Sequence, residues 1–317
     1  MTPLPSAFTE LVGCRLPLQL APMGGGVGSP ELAAAVCIAG GLGMVSSSFP
    51  TAIADQLSHV REKTTGPVGV GFFGFDLPGR LGELEAAAES ANVIDMFWGD
   101  PDPTVIERIH AGGALAFWQV GSPAEAFAAA DAGCDVVVAQ GVEAGGHVRG
   151  TTPLLRLLDE VVPRTTVPVV ATGGIATATR VSAVLSAGAS AVRVGTRLLA
   201  TVESAAHPTY LDALIAAGAD STELTTAFDV GWKDAPHRVL RTAIAEAATA
   251  PDPPGRIAVG DRTFDVVRHS AQPPSASCSG QISAMALYAG MGVEHITEIS
   301  TVAEVVAQLF PPHTRLP

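Results

Sequence analysis

Residues 134–150 read CDVVVAQGVEAGGHVRG. The run Cys134 to Val138 has the length and β-branched content of a fully buried strand, and Ala139 to Gly150 follows it as a glycine-rich loop holding one imidazole, His147. A loop just past the end of a buried strand is where α/β barrels keep their reacting groups. Gly145 and Gly146 carry no side chains, so the main chain beside the imidazole can approach a flat or anionic ligand closely. His147 is therefore the candidate catalytic residue. Its ordinary pKa of about 6.5 would suit either a hydrogen-bond donor or a base near neutrality. Taken alone, a histidine in a glycine-rich loop is more often an ordinary surface residue; its place after a buried strand is what singles this one out.

On both sides of this stretch the chain alternates between short apolar runs and amphipathic or alanine-rich segments. Strands are expected at 18–23, 42–46, 68–73, 93–97, 114–120, 134–138, 167–171 and 191–194, with helices between them. Ser29-Pro30 and Ser122-Pro123 are helix starts, with serine as the cap and proline at the first helical position. Eight strands separated by helices within about 200 residues is the count of a (β/α)8 TIM barrel, whereas a doubly wound sheet more often ends at five or six. The expected class is thus α/β, with residues 1–205 as the barrel. Residues 206–300 lose the rhythm and contain the proline-rich APDPPGR and AQPPSAS, which fits a small helical cap or lid over the barrel mouth, or equally a dimerisation arm in a homodimer. Residues 301–317 hold a closing helix, Val302 to Leu309, returning to the barrel.

Composition narrows the function classes. Of 317 residues, 47% are hydrophobic and 15% charged, which excludes a disordered chain. A net charge of -13 argues against nucleic acid and against an anionic membrane surface as partners. The uncharged run 32–54 has the length of a membrane span, but its glycines, serines and Pro50 break it into a helix, a turn, a short strand and a loop. Four scattered cysteines without CxxC spacing suit free thiols of a reducing compartment, and no basic-then-apolar leader is visible, so a cytoplasmic location is expected.

Three further loops after expected strands are rich in glycine: APMGG at 21–25, TGGI at 172–175 and VGTR at 194–197. The last two follow strands seven and eight, where barrels commonly bind phosphate. Gly173, Gly174, Gly195 and Thr196 offer bare main-chain N–H groups and one hydroxyl there. With so few cations in the chain, a phosphorylated ligand held by backbone amides is the expectation. Glu143 and His147 are four apart but in a loop, so no metal site is expected. Asp100 and Asp102, in GDPDP, suit turn and cap positions better than an acid/base pair.

Taken together, APMGGGVGSPELAAAV, QVGSPAEA, AGCDVVVAQGVEAGGHVRG, PVVATGGIA, GASAVRVGTRLLATVES and APHRVLR resemble the nitronate monooxygenase family, formerly the 2-nitropropane dioxygenases. The likeness spans about residues 18–241, with a weaker echo in YAGMGV at 288–293; QGVEAGGH is shared with flavin-dependent enoyl-ACP reductases. The resemblance implies a TIM barrel holding FMN without a covalent bond, and oxidation of alkyl nitronates or nitroalkanes, or another small anion, by O2. It places Ala21, Met23 and Gly24 against the flavin ring, Gln119 and Gln140 as polar contacts, and Gly145 and Gly146 near the ribityl and phosphate side. Gly173, Gly174, Gly195 and Thr196 would bind the phosphate, and His147 falls on the family's active-site histidine. Many members carry asparagine at the position of Gly71 and lysine at that of Gln119, so at both cofactor-site positions the family's usual contact to flavin or substrate is lost, which leaves the substrate open. Two other readings share these motifs: an NAD(P)H-dependent enoyl thioester reductase, and a barrel whose FMN site has decayed.

Overall fold

A computed structural model of the protein describes residues 4–48 and 50–312. Eight parallel strands, β1 (Leu18–Leu20), β2 (Gly43–Ser46), β3 (Val68–Phe73), β4 (Val93–Phe97), β5 (Leu115–Val120), β6 (Val136–Gln140), β7 (Val169–Thr172) and β8 (Ala191–Val194), pair in the order β1-β8-β7-β6-β5-β4-β3-β2. A parallel bridge between Gln19 and Leu42 joins β1 to β2 and completes the ring. The alternation expected from sequence is therefore a (β/α)8 barrel. Its strands are largely apolar on both faces because helices cover the outside and side chains fill the inside.

The helix starts follow their local chemistry. Ser29 Oγ accepts from Leu32 N and Ser122 Oγ from Glu125 N, each with proline at the first position. Strand ends differ from the expected ones. The β1 strand stops at Leu20, and Ala21 N makes one more bond to its neighbour β8 by donating to the Val194 carbonyl at 2.9 Å. Strand β6 runs on to Gln140, which pairs in register with Thr172.

The region after the barrel holds two helices, Pro208–Ile215 and Arg241–Thr249, but also two three-stranded antiparallel sheets. One of them joins Thr222–Thr225 and His237–Leu240 to Gly146–His147, so the histidine loop is itself an edge strand of the cap. No local pattern marks this pairing, since its partners lie about ninety positions apart. The cap has its own core around Tyr210, Leu214, Phe228, Val239, Ala243 and Ala247. Helix Val302–Leu309, opened by a Thr301/Glu304 capping box, buries Val302, Val305, Val306 and Leu309 in the barrel core; residues 313–317 lie outside the described residues. Among the described residues no helix is long and apolar enough to cross a membrane.

Candidate active site

A cavity of about 540 Å³ opens at the C-terminal ends of the strands, a size ordinary for a small-molecule or cofactor site. Ala21, Met23, Gly24, Gly71, Gln119, Gln140, Gly145, Gly146, His147, Gly173, Gly174, Gly195 and Thr196 all line it. The loops after β1, β6, β7 and β8 thus converge as their order in a barrel requires.

The histidine is held by its main chain and enclosed by rings. Gln140 Nε2 donates to the His147 carbonyl at 2.9 Å, and Gln140 Oε1 accepts from Arg149 N at 3.0 Å, so this amide is engaged in holding the loop. Arg149 anchors the loop's far end through Glu125 at 2.7 Å and Asp100 at 2.9 Å. The imidazole stacks on the Trp232 indole at 3.8 Å between centroids and 21° between planes, with His237 and Tyr288 at 5.3 and 5.5 Å. Its Nε2 is buried and has no hydrogen-bond partner. Burial, reinforced by neighbouring His237, pushes the His147 pKa down to about 3. This corrects the expectation of a group titrating near neutrality: His147 is a neutral imidazole across the physiological range, able to donate or accept one hydrogen bond but a weak base.

Beneath this loop four polar side chains meet across the barrel interior. Arg193 Nε donates to Gln19 Oε1 at 3.2 Å, Arg193 Nη1 donates to Gln119 Oε1, and Arg193 Nη2 lies 2.6 Å from Asp95 Oδ2. That last contact is ionic without hydrogen-bond alignment, for both Asp95 oxygens lack an aligned donor. Burial pushes the Asp95 carboxyl up, against the opposing pull of Arg193. Gln119 is accordingly tied to a cation on β8. Asp95 and Arg193 also line the cavity, and sequence reasoning missed both. Their signal was present, as lone charges in the apolar runs VIDMF and AVRV.

Glycines set how closely the loops approach. A Cβ on Gly71 would lie 2.4 Å from Pro22 Cβ, so this strand position is closed to any side chain while Pro22 occupies the β1 loop. A Cβ on Gly145 would lie 2.4 Å from Gly290 N and 2.6 Å from the Ala289 carbonyl carbon. Here the histidine loop abuts the segment 288–293, which Thr196 also holds by accepting from Gly290 N at 3.1 Å. Because both clashing atoms are backbone, Gly145→Ala is expected to displace the 289–290 turn. Urea unfolding should show a loss of about 1–3 kcal/mol, with the far-ultraviolet circular dichroism unchanged. Stability equal to the parent protein would show that this junction has room for a side chain. Beside Thr196, Arg197 lines the cavity, is 4% exposed, donates through Nη2 to Gln308 Oε1 at 2.7 Å, and has a buried, unpartnered Nη1.

The acidic residues considered from sequence are structural. Asp102 caps helix Pro103–Ala111 by accepting from Thr104 N at 2.8 Å, and Glu143 accepts from Leu154 N at 2.9 Å and from Arg180 at 3.0 Å.

The family model described as nitronate monooxygenase matches residues 5–76 and 81–311. The nitronate monooxygenase of Pseudomonas aeruginosa is 30% identical over 92% of this chain and 95% of its own. Among solved structures, the nitroalkane oxidase of Streptomyces ansochromogenes superposes with a TM-score of 0.77 at 32% identity, covering 96% of both chains. FabK of Thermotoga maritima gives 0.77 at 27% identity, over 96% of this chain and 95% of that one.

Proposed function

We propose, from the premise that this chain belongs to the nitronate monooxygenase family and is an oxidoreductase, that it binds FMN and oxidises alkyl nitronates with O2. The observation carrying this reading is the unpartnered Nε2 of His147, at the wall of a cavity that every expected cofactor residue also lines.

The residues present fit a phosphorylated flavin. Bare main chain at Gly173, Gly174 and Gly195, the Thr196 hydroxyl and the unpartnered Nη1 of Arg197 supply donors for a phosphate, and apolar side chains such as Met23 and Ile175 offer a surface to a flat ring. Bound FMN would supply the acceptor for the electrons leaving the nitronate and their route to O2. The protein's part is to bind and orient. Neutral His147 can donate through Nε2 to a nitro oxygen, since an imidazole kept uncharged by burial still offers one N–H. The rings around it exclude water, which strengthens that hydrogen bond relative to bulk solvent.

The test is a visible spectrum of the purified protein, followed by oxygen uptake with propionate 3-nitronate and a series of nitroalkanes. A yellow protein that consumes O2 with nitronates and is not bleached by NAD(P)H without air is expected. The likeness to FabK supports a second reading, an FMN-dependent reductase of enoyl thioesters; rapid anaerobic bleaching by NAD(P)H would favour it over ours. A colourless protein that takes up no FMN would instead mark a decayed site.

A further inference from the structure

We propose that the cavity contains an aryl subsite built around Trp232, and that the substrates it prefers are nitro compounds whose nitro-bearing carbon carries an aromatic ring. This rests on the reading of the His147 cavity as a nitronate site and narrows its substrate class.

Trp232 reaches the cavity from the loop joining cap strands Thr222–Thr225 and His237–Leu240. Its indole lies 4.7 Å from the Phe73 ring and 4.8 Å from that of Phe75, with Phe97 at 6.3 Å, and it stacks on His147. All these rings line the cavity, and three of them follow or end β3 and β4. Two features separate this cluster from ordinary core packing. Phe75 is 51% exposed, so the cluster stays open at one side. Trp232 Nε1 and His147 Nε2 are both buried without a partner, although such groups inside a finished core are nearly always hydrogen-bonded. Five cavity-lining rings, two of which hold a buried and unpartnered ring nitrogen, match a ligand with a flat π-face and a small polar head.

Charge points the same way. Of the residues lining the cavity, the cations are Arg193, held against Asp95, and Arg197, beside the Thr196 loop. The aromatic wall has none, and Asp76 sits at its rim. Neutral donors favour a head whose charge is spread over several atoms, as in a nitronate conjugated to a ring, over a compact localised anion. An alkyl group would gain only burial there. An aryl group also gains edge and face contacts with Phe73, Phe97 and Trp232, worth about tenfold in affinity.

The test uses two nitro compounds without an α-hydrogen, 2-nitro-2-phenylpropane and 2-methyl-2-nitropropane, which can bind but cannot form nitronates. Calorimetry on the FMN-loaded protein should show 2-nitro-2-phenylpropane binding at least tenfold more tightly. W232L should erase that ratio, and W232F, which keeps a ring, should retain most of it while weakening both ligands through loss of the N–H. Equal binding by the parent protein, or a ratio untouched in W232L, overturns the proposal. The binding readout separates it from the broader reading: an aryl preference that depends on Trp232 in a protein that turns over no nitronate would sink the proposed function and leave the aryl subsite standing.

Discussion

His147→Ala protein is expected to purify yellow, melt at the parent temperature, and turn over nitronates at least about 100-fold more slowly. The imidazole sits on a loop whose geometry is set by main-chain pairing to residues 237–238 and by Gln140, so removing the ring leaves the scaffold in place. What is lost is the one buried, unpartnered nitrogen that the histidine presents at the cavity. The pH dependence gives a second reading of the same group. With the free-enzyme pKa near 3, kcat/KM should show no inflection near 6.5 from this imidazole, because the group stays neutral on both sides of that value. Protonation becomes easier only once an anion lies against it, so any histidine limb belongs in kcat and should vanish in the alanine variant. Undiminished turnover would take His147 out of the reaction.

The second large effect concerns stability. Arg193→Met should destabilise the protein by about 3–5 kcal/mol, because it leaves the Asp95 carboxylate buried without its counter-ion in the barrel interior. Asp95→Leu/Arg193→Met, which removes both charges, should recover much of that loss. Breaking the pair strands a charge, whereas deleting the pair only replaces it with apolar volume. Urea midpoints of the two variants and the parent decide the matter. A double variant no more stable than Arg193→Met would mean that Arg193 matters through its links to Gln19 and Gln119 rather than through its charge.

Much of this site was legible in the chain. An apolar run followed by a glycine loop is a local pattern, and eight such units leave few ways to close other than a barrel, which then sends all the post-strand loops to one end. That is why the thirteen residues singled out from sequence come to line one cavity. Three of them also have structural parts that the sequence does not show. Gln140 holds the histidine loop, Gln119 accepts from Arg193, and Gly71 gives room to Pro22. In each case the deciding partner sits on another loop or strand, so residue type and spacing carry no sign of it.

The sequence by itself determined the barrel, the end of it that carries chemistry, and the histidine with its glycine neighbours, because strand period, helix caps and turn residues act over a few positions. Only the tertiary structure decided that Trp232 lies flat on His147, that the cap adds strands to the histidine loop, and that Arg193 faces Asp95. It also decided that the imidazole is neutral. These contacts join residues about 85 to 100 positions apart, and a pKa follows from which distant side chains displace water from the ring, a matter settled when the chain closes on itself.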